Sequence, residues 1–499
     1  MRSGVGRCRF ARGRGSVLVS GLAVCLVLLI AGCSTTASSP STASAPATTP
    51  SGSSPVKTID LAALRATVDA TAKELLVPGA VVEVRTPQGD FTATVGTTLR
   101  GADVPPGGDT HFRIASITKT MTAAVIVLLA QEGKLQFSDP VSKYVPNVPN
   151  GENITIAELL KMRSGLYGYT NDPGFATTLD ADPTKAISPQ EVLAIAFRHP
   201  PLFPPGTAYD YSNTNYILLG LIAEKVDGKP LAQDFQDRLY GPLGLKQTLL
   251  PGSKDTAIPD PYSHGYMYGG TSFALVDTPY PPDVEAAARA GTLQPIDYTH
   301  QNSSYAMGAG GAISTANDLA IWIRALVDGQ VFNADFQRQW LDSPQLTDPA
   351  EPAAPQYGYG IERQSWAPNV TMYYHFGELP GFNSFSGYDP VNKVTLVLWS
   401  NLTVAPDSRP TANVFLVKVA DQIYTLPSGT FRRRRGPEAG DAAHRDPHYA
   451  VTIARQAHRA GRPNSCPCPR GRAARGRRSS GWARDSEVSQ PEVAGGIAR

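Results

Sequence analysis

The chain has 499 residues, with 45 basic side chains, 43 acidic ones and five cysteines. That exceeds what one hydrophobic core serves, since cores stop growing near roughly 250–300 residues, so a large domain with flanking segments is expected. The net charge of +2 is uneven: the first fifteen residues bring five Arg and no acid, Arg432 to Arg499 bring fifteen Arg against six acids, and the body between is left at about −12. An acidic body removes most of the support for nucleic-acid binding by the whole chain.

Along the chain, residues 1–15 form an Arg-rich start, and Ser16 to Gly32 an apolar run closed by Ile30-Ala31-Gly32-Cys33. This resembles a bacterial lipobox, which makes 1–33 a lipoprotein signal peptide with Cys33 as the lipidated residue; the run is short for a membrane span. Residues 34–58 are mostly Ser, Thr, Ala and Pro and read as a disordered tether. The implied location is the outer face of the cell membrane, with the chain held there by Cys33. No Cys lies between 34 and 465, so the domain expected over 59–427 has no disulfide, thiol nucleophile or Cys-based metal site. Residues 428–499 are basic and poor in apolar periodicity, and are expected to be disordered and without part in catalysis.

Within 59–427, Asp60 to Leu76 has helical apolar spacing with Asp60 as N-cap. Gly79 to Arg85 and Asp90 to Val95 read as a hairpin turning at Pro87-Gln88-Gly89. Ile117 to Glu132, apolar nearly all round, predicts a buried central helix stopped by Gly133. Residues 140–250 carry helical stretches without a clear strand. Asn317 to Leu326 is a helix capped by Ser314 or Thr315. Met372 to Phe376, Ser384 to Tyr388 and Val394 to Leu398 read as strands, and Asn413 to Tyr424 as a final helix. Strands at both ends around a helical middle predict an α/β (α+β) fold, a mainly antiparallel sheet flanked by helices with a second helical lobe.

Ser116-Ile117-Thr118-Lys119 is an S-x-x-K motif at the start of the buried helix, and its spacing puts Ser116 and Lys119 side by side. A Ser hydroxyl needs a base, and a Lys serves when burial lowers its pKa. Ser54-Pro55-Val56-Lys57 fits the same pattern, but in the Pro-broken tether. No G-x-S-x-G elbow is present.

Four further segments accompany the motif in order: Leu159-Leu160-Lys161-Met162-Arg163-Ser164-Gly165-Leu166, Pro205 through Tyr211-Ser212-Asn213, Gly310-Gly311-Ala312-Ile313-Ser314-Thr315-Ala316-Asn317-Asp318-Leu319, and His375-Phe376-Gly377. With His111 to Ala123 they resemble the serine β-lactamase-like and penicillin-binding family, which holds class C β-lactamases, DD-carboxypeptidases and related esterases. The resemblance covers about Pro78 to Leu398 and implies the β-lactamase/transpeptidase-like fold. It implies Ser116 as nucleophile, Lys119 as base and Tyr211 as proton relay, with Asn213 beside Lys119. Tyr169-Thr170-Asn171 is a second Y-x-N, with Tyr169 a pocket-wall candidate. His375 and Gly377 would lie on the sheet's edge strand lining the cleft, Gly377 admitting substrate backbone and His375 adding pH sensitivity, and the Glu378 N–H would be the second oxyanion donor.

Departures bear on the substrate. Phe376 stands where penicillin-recognising members keep a carboxylate-binding hydroxyl, Met162 and Arg163 stand for the usual His and Thr, and Glu378 adds charge that Arg163 or His375 would have to offset. The expected function is a D-alanyl-D-alanine carboxypeptidase-like serine hydrolase acting on peptidoglycan peptides, with an esterase, a β-lactamase or a non-catalytic envelope-binding lipoprotein as alternatives. No cofactor, metal or nucleic acid is implied, and a monomer is expected.

Overall fold

The computed structural model describes residues 54–276, 278–427 and 430. Cys33, the signal peptide, nearly all of the tether and the basic tail lie outside the described residues.

The first helix, α1 (Leu61–Leu75), starts where Asp60 accepts from the backbone N–H of Ala62 and Ala63, and ends where Leu76 turns left-handed at φ 57°. The hairpin follows as β1 (Gly79–Thr86) and β2 (Gly89–Gly96), each strand running one residue further toward the turn than expected, with Arg85 opposite Asp90 and Gly89 at φ 135°. That backbone region is open to glycine, which has no Cβ. The buried central helix is α2 (Thr118–Gln131), entered through a 3-10 turn over Ala115–Ile117. Every residue from Thr118 to Val127 is buried, the polar Thr118, Lys119, Thr120 and Thr122 included, and Leu129 with them. Helix α3 (Asn213–Asp227) packs against it. Thr315 caps α4 (Ala316–Val327).

The C-terminal part supplies β3 (Gln345–Leu346), β4 (Gln356–Tyr357), β5 (Glu362–Ala367), β6 (Val370–Leu379), β7 (Phe382–Asp389) and β8 (Val394–Ser400), then α5 (Thr411–Ile423). Together with the first hairpin they form one eight-stranded antiparallel sheet in the order β2-β1-β8-β7-β6-β5-β4-β3. β1 and β8 join the two ends of the chain, with Val81 opposite Trp399 and Val82 opposite Leu398. Strand alternation sends Val82, Leu398, Phe376 and Phe385 to an apolar layer shared with α1 and α5. Val81, Val397 and Trp399 join the larger core, which holds α2, α3 and α4.

β5 pairs with β6 only as far as Tyr374 opposite Glu362. From His375 on, β6 pairs with β7 on one side, and it lies against the Ala115–Ile117 turn. This brings S-x-x-K to the sheet. The stretch from Pro251 to Tyr305 is tied down by Arg113, 2 % exposed, which donates to the carbonyls of Thr256 (2.9 Å) and Thr299 (3.2 Å) and to Ser303 Oγ (3.0 Å).

Candidate active site

Ser116 lies in the 3-10 turn, with Ala115 before it at φ 50°. An L-residue with a Cβ is strained there, and such strain gathers at functional turns. Neighbouring segments hold the turn in place. Thr118 Oγ1 donates to the Ala115 carbonyl (2.7 Å) and accepts from the Ala312 N–H (3.1 Å), and the Ile114 N–H reaches the Ala312 carbonyl (3.1 Å). The segment from Gly310 to Leu319 is thus a brace for the turn, fixed in turn by Asp318, which accepts from the Gln247 N–H and Thr248 Oγ1 (both 2.8 Å).

Lys119 is fully buried, and its Nζ lies 2.9 Å from Ser116 Oγ, 2.7 Å from Asn213 Oδ1 and 2.6 Å from the Ala309 carbonyl. Burial pushes its pKa well below that of an ordinary lysine. As a neutral amine it has two hydrogens and one lone pair. The two carbonyl oxygens can only accept, so they take the hydrogens, and the lone pair is left for the Ser116 hydroxyl proton. Asn213 is oriented for this by its other end, where Nδ2 donates to Thr170 Oγ1 (3.1 Å).

The Tyr211 ring is 5 % exposed, with Lys119 Nζ 4.8 Å from its centroid and the His375 ring 6.3 Å away. Tyr169 is fully buried and donates to the Tyr305 carbonyl (2.7 Å), so its phenol braces the Pro251–Tyr305 stretch. Thr170, between Tyr169 and Asn171, reaches the site through Asn213. Sequence reasoning missed it, and only the repeated Y-x-N drew attention to that loop.

Ser164 donates to Asn215 Oδ1 (2.5 Å), and Arg163 donates to the Leu346 carbonyl (2.7 Å). The Met162–Leu166 segment therefore fastens α3 and the sheet edge, with Met162 itself at φ 59°.

His375 is fully buried, with Nδ1 2.6 Å from the Phe376 carbonyl and Nε2 3.1 Å from the Tyr357 phenol. A carbonyl cannot donate, so Nδ1 carries the proton and Nε2 accepts from Tyr357. Burial first, then the charge on Lys119, push its pKa down to about 3. This corrects the expected pH sensitivity: a fully desolvated imidazole between these partners stays neutral across the physiological range.

Gly377 is also corrected in its reason. A Cβ there would overlap the Ile114 carbonyl oxygen and Ser384 Oγ, so the backbone that approaches it is the nucleophile segment's own. Phe376 is 4 % exposed and packs on Tyr374 and Phe385 in the α1–α5 layer, with its side chain on the opposite face from His375 and Gly377. Glu378 stands opposite Asn383, whose Nδ2 donates to its carboxylate (2.9 Å). Among the described residues, no group of three His, Cys, Asp or Glu side chains is arranged to hold a metal, and no helix is long and apolar enough to cross a membrane.

A family model described as Beta-lactamase matches residues 64–421. A Bacillus subtilis (strain 168) protein named "Putative penicillin-binding protein PbpX" is 28% identical over 319 residues, which is 64% of this chain and 66% of that relative, just under two thirds of its length. The D-alanyl-D-alanine-carboxypeptidase/endopeptidase AmpH of Escherichia coli (strain K12) is 28% identical over 254 residues, 49% of this chain and 54% of its own. Among solved structures, a D-stereospecific amidohydrolase from Streptomyces sp. superposes with a TM-score of 0.61 at 30% identity, covering 72% of this chain and 98% of that one.

Proposed function

Because the chain belongs to the Beta-lactamase family of serine hydrolases, we propose that it forms an acyl-enzyme on Ser116 from amides whose reacting residue has the D configuration, with peptides ending in D-Ala-D-Ala as the first class to test. The observation that carries this reading is the environment of Lys119 Nζ, 2.9 Å from Ser116 Oγ with two carbonyl oxygens opposite.

In this reading the neutral Lys119 amine takes the Ser116 proton as Oγ attacks the substrate carbonyl carbon. The oxyanion is held by backbone N–H groups, those of Ser116 and Glu378 being the candidates. The proton passes from Lys119 toward the leaving nitrogen through the Tyr211 phenol, the C–N bond breaks, and the amine departs. Water then attacks the ester by the same route in reverse and restores the Ser116 hydroxyl. Asn213 positions Lys119, and His375 and Gly377 form the wall on β6. The D configuration is suggested by the names of the relatives, a D-alanyl-D-alanine carboxypeptidase and a D-stereospecific amidohydrolase.

A second reading, a small-amide or ester hydrolase of the same mechanism, is favoured by Phe376. No hydroxyl stands at that position, and the ring is committed to the far side of the sheet, which removes one means of holding a terminal carboxylate. Release of D-Ala from a D-Ala-D-Ala tripeptide, measured beside hydrolysis of D- and L-phenylalanine amides, separates the two. Preference for the tripeptide supports the carboxypeptidase reading, and preference for the D-amide supports the second. Equal rates on D- and L-amides would contradict both.

The placement in the cell envelope is supported by the Arg-rich start, the apolar run and Gly32-Cys33. Fatty-acid labelling that Cys33→Ala fails to abolish would contradict a lipid anchor at that residue.

A further inference from the structure

Tyr357 plays no part in the sequence motifs, yet it is 1 % exposed and lies against two side chains of the site. Its phenol lies 3.1 Å from His375 Nε2, and its ring meets the Tyr211 ring edge-on at 6.1 Å and 88°. It stands at the end of β4, and the loop that follows is fastened to the helix carrying the base. Gly360 sits at φ 71°, where a Cβ would come 2.8 Å from the Lys119 carbonyl oxygen and 2.5 Å from Ala123 Cβ. Tyr216 of α3 stands behind it, its hydroxyl donating to the Leu160 carbonyl (2.9 Å). The short strand is therefore clamped between sheet and helices, and its phenol has little freedom to move.

We infer that Tyr357 is a positioning residue of the Ser116 site, which holds His375 as the neutral Nδ1–H tautomer against Tyr211. The inference rests on the acyl-transfer reading above. The Phe376 carbonyl requires the proton on Nδ1, and the Tyr357 hydroxyl donates to the lone pair on Nε2, so both ring nitrogens are engaged and the ring cannot turn over without breaking both bonds. The titratable groups around the imidazole are Lys119 from α2, Tyr211 from the segment before α3, and Tyr357 from β4. A second cation beside Lys119 would favour the neutral amine that the mechanism needs, but it would also draw the Tyr211 proton and displace its ring. A donor on Nε2 stabilises the neutral imidazole and prevents this. Tyr357 touches no reacting atom; it acts through His375 and Tyr211.

The test is Tyr357→Phe in the full chain, with nitrogen-15 spectra of labelled histidine, His375 being assigned by its loss in His375→Gln. The wild type is expected to show Nδ1 protonated and Nε2 as a hydrogen-bonded acceptor. In Tyr357→Phe the Nε2 resonance is expected to move, and kcat to fall about 10- to 100-fold with KM within about twofold. Removing a donor from the neutral form makes His375 easier to protonate, so an acid limb of kcat/KM not seen in the wild type is expected to enter from low pH. A purely structural tyrosine would lower the melting temperature and leave the pH profile where it was. An Nε2–H tautomer in the wild type overturns the inference even if the variant does not fold. So does a Tyr357→Phe enzyme with unchanged kcat and pH profile while Ser116→Ala is inactive. If Ser116→Ala retains turnover, it is the acyl-transfer reading beneath that fails.

Discussion

Lys119 Nζ sits 2.9 Å from Ser116 Oγ, one helical turn along, in a place no water-exposed lysine could occupy. The buried turn at the head of α2 makes the pair, and the Asn213 and Ala309 carbonyl oxygens make it directional. Replacing Lys119 by Met keeps the length and burial of the side chain and removes the amine. Turnover should fall by about 1,000-fold or more while the fold persists. Steady-state rates beside a thermal melt check this; a folded Lys119→Met enzyme with near-wild-type turnover would exclude Lys119 as the base.

The two buried nitrogen bases predict the shape of the pH profile. Lys119 has its pKa lowered by burial, so activity is lost as pH falls through that lowered value and the amine becomes an ammonium. His375, pushed down to about 3, contributes no limb between pH 5 and 8. The kcat/KM profile of His375→Gln should therefore be lower in height but unchanged in the position of its acid limb. A limb that moves with the His375 substitution would reassign it.

Gly377→Ala tests the contact between β6 and the nucleophile turn. The added methyl meets Ser384 Oγ, which can rotate, and the Ile114 carbonyl, a backbone atom that cannot, so the turn must shift. Overpacking of this kind costs about 1–3 kcal/mol, and the displaced Ser116 should lower kcat more than KM changes. Thermal unfolding and kinetics together check it; an unaltered melting temperature would mean that the strand and turn separate freely.

Far from the site, Asp234 is fully buried beside Asp227 within a cluster held by Lys229 and Arg238. Burial and the second carboxylate push its pKa up to about 6. A raised carboxyl pKa means that the folded state binds the proton more tightly, so this contribution is full below the ordinary value near 3.8 and is lost as pH rises through 6. Asp227 has the opposite shift, well below the usual range, so it does not change over pH 4–8. Asp234→Asn is neutral at every pH. Its melting temperature should gain on the wild type between pH 5 and pH 7.5, and a constant difference across that window would contradict the raised pKa of Asp234.

Five of the eight strands, β1, β2, β6, β7 and β8, were legible in the sequence between turn residues, as with the hairpin at Pro87-Gln88-Gly89, whereas β3, β4 and β5 carry no apolar run and were not legible. The helix of the S-x-x-K motif showed itself by being apolar all round. Its entry was less plain: Ser116 belongs to a 3-10 turn ahead of α2, forced by the left-handed Ala115, and periodicity does not report backbone strain. Partners of the motif residues were hidden for a different reason. Thr170, Tyr357 and the Ala309 carbonyl meet Asn213, His375 and Lys119 across long loops, and no local pattern marks a hydrogen bond between distant segments. Gly377 and His375 were placed on the strand that meets the nucleophile turn, but it is not the expected edge strand: β6 lies between β7 and β5, and only beyond Tyr374 does β5 leave it open. What fills the space beside Gly377, and how far His375 is desolvated, depend on packing alone.

The central claim is that Ser116 carries the acyl group, and acid-quenched mass analysis during turnover tests it most directly. The full chain and its Ser116→Ala variant are mixed with the D-amide or D-Ala-D-Ala peptide that the wild type hydrolyses, quenched, and mapped by peptide. The account predicts an acyl mass on the Ser116 peptide of the wild type, with neither adduct nor turnover in Ser116→Ala. Turnover by Ser116→Ala at the wild-type rate, or an acyl group mapped to another residue, would contradict it.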